Sequence, residues 1–375
     1  MGLMGLMAAP LQGVRVVDLS RLLPGAFATL MLAELGAEVI KIEDPSGGDP
    51  MRQLPPILHG RGLYDLLLNR GKKSVALDLK RPDSQTVLDR LIATADVVVE
   101  SFRPRTARRL GVSGEQLRAR HPRIVHCAIT GYGQTGPYAE RPGHDLNYMA
   151  LSGLLSADAR QSGELPRMFM ADVGGGAMTA VISILAAIIG RDRHGAGASL
   201  DVSMHDAALY WVMIPAVREV IDGGAEAIGD LPTAGAHASY NVYKTKDGTW
   251  LALGALERKF WVSFCAAIGR PDLAARHETD PRDQADLTRE IRAVFAERTR
   301  QEWLTFFEGH DVCLTPVNTP TDALRDPHAE ARGTVTRQAG LRAARPPFLV
   351  PGTAQELAPA PELGAHTEEI LSSLK

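Results

Sequence analysis

Three cysteines in 375 residues, Cys127, Cys265 and Cys313, form no CxxC pair and are odd in number. That excludes a disulfide framework and a cysteine-rich metal site, and it fits a reducing cytoplasm. Charge of one sign is lacking too. Forty-one basic residues against 44 acidic ones give a formal net charge of -3, so no global field draws the chain to nucleic acid or to an anionic membrane. Any anionic ligand must be met by a local basic cluster. The longest apolar run, AMTAVISILAAII from Ala177, is shorter than a bilayer is thick and suits a buried helix, so no membrane segment is predicted. GxGxxG after the first strand, GxSxG and Walker A are all missing, and with them the ordinary signals for dinucleotide binding, nucleophile-elbow hydrolysis and phosphate loops. The opening MGLMGLMAAPLQG has no basic n-region and carries Leu6 where a myristoylation motif needs Ser or Thr; it reads as a loose tail.

What is present is a large core. The chain is 45% hydrophobic and 23% charged, the balance of a globular protein of about two domains. GVRVVDL (13–19) is a β-rich run, AFATLMLAELG (26–36) has helical periodicity closing on Gly36, and AEVIKIE (37–43) is a second strand, together a βαβ unit. Strand and helix alternate again through KSVALDLK (73–80), DSQTVLDRLIATA (83–95), DVVVESF (96–102), a capping box from Ser113 to Gln116, and RIVHCAITG (123–131). The alternation predicts an α/β fold with a mostly parallel, Rossmann-like sheet. A helix opening at Asp172, a strand over 199–204 and a helical DAALYWVMIPAVREVI follow. Gly223 to Ala238 then reads as a linker, and YNVYKTKDGTWLALGA as a hairpin around Asp247-Gly248, with helices over 258–268, 285–298 and 300–308. The expected organisation is a large domain over 1–224, a smaller α+β domain over 225–330, and a proline-rich return to the large domain over 331–375 ending in a short helix.

Few groups stand out as carriers of chemistry. His144 and Asp145 stand at the mouth of an apolar helical segment, RPGHDLNYMALSGLLS. Neighbours in a helix do not face each other, so the pair is not a proton relay. If Asp145 is the N-cap, His144 lies just outside the positive helix end, where a neutral imidazole is favoured and the free amides suit an oxyanion. A capped helix with a locally bonded histidine is the alternative. Asp172 repeats the pattern, capping a helix whose first turn holds Gly174, Gly175 and Gly176; either a ligand or another helix approaches closely there. Glu257, where WLALGAL meets RKFWVSFCAAIG, is either catalytic or simple dipole compensation. Arg103, Arg105, Arg108 and Arg109 follow a strand end, where α/β sheets bind ligands, or else form a solvated face. The glycine-rich Gly131–Gly136 loop is weak alone, and Met149, Met168 and Met170 are read as an adaptable apolar surface or as plain core.

Taken together in order, these pieces resemble the family III CoA transferases, in the branch that holds the α-methylacyl-CoA racemases. The residues that carry the resemblance are GVRVVDLSRLLPGAFATLMLAELGAEVIKIE, RGKKSVALDLK, ADVVVESFRP with RRLG, TGYGQTGPYAERPGHDLNY, DVGGG, LALGALERKF, DVCLTPV and PELGAHTEEIL. The resemblance implies an interlocked homodimer acting on an acyl-CoA, with CoA as part of the substrate and no other cofactor or metal. It implies His144 and Asp172 as an acid/base pair and Glu257 as the carboxylate assisting the histidine, in its own or the partner chain. CoA is implied along Leu77, Asp78, Leu79, Lys80, Val97, Val98, Val99, Arg103, Arg109, Leu110, Gly143, Asp145, Leu146, Asn147 and Tyr148. Two readings follow: racemisation at the α-carbon of a 2-methylacyl-CoA, or CoA transfer to a free acid through an Asp172 anhydride. The chain departs from the family pattern at Asp44, where an arginine is common; Lys41 or Arg52 is expected to take over its phosphate contact.

Overall fold

The computed structural model describes residues 9–159, 168–222, 232–338, 340–347 and 357–374. The expected loose tail falls mostly outside them, as do 223–231 of the expected linker and part of the proline-rich return.

Two compact units are present, one of 1–212 with 332–375 and the other of 213–331. In the first, six parallel strands form one sheet: β1 (Arg15–Asp18), β2 (Glu38–Glu43), β3 (Lys73–Ala76), β4 (Val97–Glu100), β5 (Val125–Thr130) and β6 (Ala198–Ser203). Their order is β3-β2-β1-β4-β5-β6. Such a sheet has a crevice at its carboxyl edge where the winding reverses between β1 and β4. Helices cover both faces: Val16, Val97, Val99 and Val125 belong to one core, Val17, Ile40, Val75 and Val98 to the other. The run VVV in β4 is thus apolar because both faces of that strand are buried.

Four helices position the site: α1 (Leu23–Glu34), α2 (Leu63–Leu68), α3 (Pro104–Arg109) and α4 (Asp145–Leu151). Pro24 at the start of α1 and Pro104 at the start of α3 occupy positions that need no N–H. The Ser113–Gln116 capping box forms, with Gln116 Oε1 accepting from the Ser113 N–H. The helix expected to open at Asp172 instead begins at Met170 with a π turn, Met170–Met178, and runs on as α5 (Thr179–His194). The continuous helix therefore has 25 residues, long and apolar enough by length and composition to cross a bilayer, which corrects the shorter estimate made from the apolar run. Its Ala177, Ala180, Ile184 and Ile188 are buried in the core, so one face belongs to the folded unit. It is followed by β6 and α6 (Met204–Trp211).

In the tail, a hairpin over Val335–Gln338 and Leu341–Ala344 was not foreseen. Beyond it the chain crosses β3, where the Ser74 N–H donates to His366, and ends in the helix Thr367–Ser372 with Ile370 buried. The second unit has three antiparallel strands, Tyr240–Lys244, Trp250–Gly254 and Leu314–Pro316, the first two joined by the Asp247-Gly248 turn. Helices Arg258–Ala267, Pro281–Phe295 and Arg300–Phe306 pack on them around Trp261, Phe264 and Phe295. The helix Met213–Asp222 also groups with this unit.

Candidate active site

The carboxyl edge of the sheet opens into two cavities. One, of about 250 Å³, lies over β1, β2 and β3 and is lined by Leu77, Asp78, Leu79, Lys80, Arg109 and Leu110 from the expected CoA residues, with Arg21, Lys41 and Asp44. The other, of about 480 Å³, lies over β4 and β5 and is lined by His144, Asp172, Arg103, Gly143, Asn147 and Tyr148, with Arg21, Arg141 and Met204. Arg21 and Phe102 line both. Val97, Val98 and Val99 reach neither: each is 0% exposed, forming the floor of the sheet rather than a ligand contact. Leu146 and Asp145 are not on a cavity wall.

The N-cap of α4 is His144 and not Asp145 as expected, while His144 lines the cavity as expected. His144, with extended backbone (φ -132°, ψ 174°), is the N-cap of α4, and its own N–H donates to Asn147 Oδ1 at 3.0 Å. Asp145 is the first helical residue, and its carboxylate turns to another helix, accepting the Asp172 N–H at 2.8 Å. It therefore caps the π turn in trans, satisfying an amide that a first turn leaves free. Asp172 is itself not a cap but the third residue of that turn. With its backbone fixed by Asp145, its side chain faces the cavity that His144 also lines.

Electrostatics follow from this packing. Burial without a cationic partner pushes the Asp172 carboxyl up to about 7, and the Asp145 carboxylate adds to the rise. Asp145 is raised as well, by burial, against the backbone N–H bonds it accepts from Asp172 and Ala171. A carboxyl near 7 exchanges protons readily at neutral pH. Tyr148 closes the floor: its ring fits between two glycines, since a Cβ on Gly131 would lie 2.3 Å from it and one on Gly143 2.6 Å. Its hydroxyl donates to the Gly143 carbonyl.

The three glycines of DVGGG make room for helix packing, the plainer of the two readings. A Cβ on Gly174 would meet the Trp211 indole at 2.2 Å, one on Gly175 the Met204 carbonyl at 3.2 Å, and one on Gly176 the Met204 side chain at 2.9 Å. Met149 is fully packed in the core and lines nothing, whereas Met168 and Met170 line a third, apolar cavity. Glu140 accepts the Arg105 backbone N–H and stands 3.9 Å from the Arg108 guanidinium, and neither arginine is among the residues lining the two cavities, which fits the solvated-face reading.

The substitutes expected for the arginine missing at Asp44 are both committed elsewhere. The Arg52 guanidinium grips Glu43 with two nitrogens and reaches the Pro361 carbonyl with the third. Lys41 Nζ lies 3.0 Å from Asp49 and donates to the Ser20 carbonyl, buried on the cavity floor. Asp44 itself accepts from Ser46 and is held below the usual carboxylate range, so it carries negative charge on the rim. The cations left at that cavity are Arg21, Lys80 and Arg109. Arg21 could have been found by the rule that selected Arg103, an arginine just after a strand end; no such rule marks Arg141.

One sharp turn shapes the wall shared by the cavities. Leu22 has φ 62°, a left-handed conformation rare for a branched side chain. Asp49 holds it there by accepting the Leu22 N–H at 3.1 Å. Glu257 lies in the second unit, at the N-cap of Arg258–Ala267 rather than inside its first turn, and its side chain makes no capping bond.

Comparison with known proteins is consistent along the whole chain. Residues 11–367 match the model of CoA-transferase family III. Human alpha-methylacyl-CoA racemase is 33% identical over 96% of this chain and 92% of its own length. Mouse succinyl-CoA:glutarate CoA-transferase is also 33% identical, over 97% of this chain and 86% of its own length. Among solved structures, a CAIB/BAIF family protein from Brucella suis superposes with a TM-score of 0.85 at 28% identity, covering 98% of this chain and all of that one.

Proposed function

The chain belongs to CoA-transferase family III, and from that premise we propose that it racemises the α-carbon of 2-methylacyl-CoA thioesters. It is an enzyme of a family whose members include both racemases and CoA transferases. The observation that carries the finer reading is the Asp172 carboxyl at about 7, lining one cavity with His144. Racemisation needs one group that is protonated and one that is not, on opposite faces of the same carbon. A nucleophilic carboxylate, by contrast, works best fully ionised.

The thioester carbonyl acidifies the C2 hydrogen. Neutral His144 takes that proton, the C2–H pair becomes the enolate, and protonated Asp172 returns a proton to the other face. The enzyme is left as imidazolium and carboxylate, and loss of the His144 proton to solvent with uptake of one by Asp172 resets it. The cations Arg103 and Arg141, which line the cavity, are the donors available to the enolate oxygen. CoA is proposed to run from the smaller cavity, its phosphates met by Arg21, Lys80 and Arg109, past Phe102 to the larger one. Glu257 enters as the residue assisting His144, to be tested as Glu257→Gln. A homodimer is supported by the apolar face that α5 leaves open at Ile182 and Ile189.

The second reading, CoA transfer to a free acid through an Asp172 anhydride, is favoured by the equal identity to the glutarate transferase. One experiment divides them. With a chiral 2-methylacyl-CoA in deuterated water and no free acid, α-deuterium incorporation and loss of chirality are expected. Absence of both, with hydroxylamine trapping at Asp172 after acyl-CoA addition, sinks the racemase. His144→Ala is expected to abolish the exchange while sparing part of any transfer activity; equal loss in both assays refutes the division of roles.

A further inference from the structure

The charges on the wall of the smaller cavity nearly cancel. Two of its carboxylates are paired and buried, Glu43 with Arg52 and Asp49 with Lys41. Arg21, Lys80 and Arg109 have no such ion pair among the described residues. Against these three cations stand Asp44 and Asp78 on the same wall, so one positive charge is left over.

Asp44 is held in place on the rim. Its Oδ1 accepts the Ser46 N–H at 2.9 Å and the Ser46 hydroxyl at 2.7 Å, and its carbonyl accepts the Gly48 N–H at 2.8 Å. Those Ser46 bonds, with Lys80 and Arg21 nearby, hold the carboxyl below its ordinary range. The same field acts in both directions. Cations that stabilise a fixed carboxylate have part of their attraction for a ligand anion taken up by it.

Sheet order tells which end of the cavity this is. Across β3-β2-β1-β4, Asp44 follows β2 and Lys80 follows β3, whereas Arg21 follows β1 and Phe102 follows β4. Arg21 and Phe102 also line the larger cavity, so Asp44 and Lys80 stand at the end remote from it. A CoA whose thioester lies beside Asp172 and His144 then has its diphosphate toward Arg21 and its ribose phosphate toward Asp44 and Lys80. That phosphate monoester carries about -1.5 to -2 charges at pH 7. Lys80 attracts it and Asp44 repels it from the same rim.

Resting on the reading that CoA lies with its nucleotide end in the smaller cavity, we propose that Asp44 is a specificity-determining residue that cancels the preference for the ribose phosphate monoester, so that the protein takes thioesters of dephospho-CoA about as well as those of CoA.

The test is calorimetry of the full chain with CoA and with dephospho-CoA, at about 50 mM salt so that screening does not hide the charge. Wild type is expected to bind the two within about threefold of each other. Asp44→Asn keeps an acceptor for Ser46 and loses only the charge. It is expected to tighten CoA by roughly five- to tenfold and dephospho-CoA by less than about twofold. A wild-type preference for CoA beyond about threefold, or a variant that changes both ligands equally or neither, overturns the proposal. Lys80→Ala tests the placement separately. If it weakens CoA while Asp44→Asn changes nothing, the nucleotide end lies here and the role of Asp44 falls. Unchanged CoA binding in Lys80→Ala removes the nucleotide end from this cavity, and the placement falls with the proposal.

Discussion

Asp18 and Asp172 belong to the same unit, one at the end of β1 and the other in the π turn, and both carboxyls are withdrawn from water. They are driven in opposite directions. Burial alone would raise Asp18, but Lys41 and Lys72 with the hydroxyls of Ser20 and Thr29 hold it below the usual carboxylate range. Thr29 Oγ1 donates at 2.7 Å, and the two ammonium groups stand at 3.8 and 3.5 Å. The same crowding pushes Lys72 down to about 8, because burial weakens its charge and Lys41 repels it. Asp172 has no such company, only a second carboxylate, and rises. Burial therefore does not by itself mark a catalytic acid; the neighbours decide whether a buried carboxyl ties elements together or moves protons.

Breaking each half of this contrast gives different outcomes. Asp172→Asn is expected to lower kcat by about 1,000-fold or more, since it removes a proton donor and acceptor together. It should also stabilise the protein above pH 7. The carboxyl is raised on folding, so its penalty is absent below the unfolded value near 4, grows as pH rises, and is complete above about 7. Thermal melts should show the variant gaining about 2 kcal/mol over wild type at pH 8 and nothing at pH 3.5; a loss at pH 8 would contradict the assignment. Asp18→Asn should cost about 3 kcal/mol in denaturant titrations at pH 7, because it removes the carboxylate that Lys41 and Lys72 share and leaves Lys72 buried beside Lys41. Asp18 is lowered on folding, so its contribution is present above the unfolded value and fades as pH falls through the folded one. Wild type and variant should converge in acid. Asp145→Asn is the mildest. The amide oxygen still accepts the Asp172 N–H, so only the second negative charge is lost. The limb of the pH–rate profile assigned to Asp172 should move toward lower pH, changing the rate at pH 6 by roughly two- to threefold. A shift toward higher pH would show that Asp145 acts through structure.

Much of the sheet was legible because strand and helix periods alternate cleanly from Val14 to Thr130. Continuous apolar strands such as VVVE also announced burial on both faces, and that signal spoke against Val97, Val98 and Val99 as ligand contacts. The acid/base candidates were legible only as helix-mouth residues. Which of them caps which helix depends on a bond between Asp145 and Asp172, 27 positions apart, and no local pattern reports it. The Asp18 cluster was hidden for the same reason: residues 18, 29, 41 and 72 meet only once β1, β2 and the start of β3 lie side by side. A hairpin at 335–344 went unseen because its strands, VTRQ and LRAA, are four residues each and show no alternation of polar and apolar residues.

The π turn also acts as a phase setting for everything before it. Each residue of an α-helix turns the chain by about 100°, and a π turn holds one more residue than an α turn. Deleting a single glycine from DVGGG would let the segment wind as α-helix without breaking it. Asp172 would then turn off the wall of the proton-transfer cavity, and the Asp145 bond would have to break or follow. On the proposed reading the chemistry of this site thus depends on a residue count as much as on a residue type, and a one-codon deletion at Gly174–Gly176 should silence it while leaving His144, Asp172 and Glu257 in the sequence.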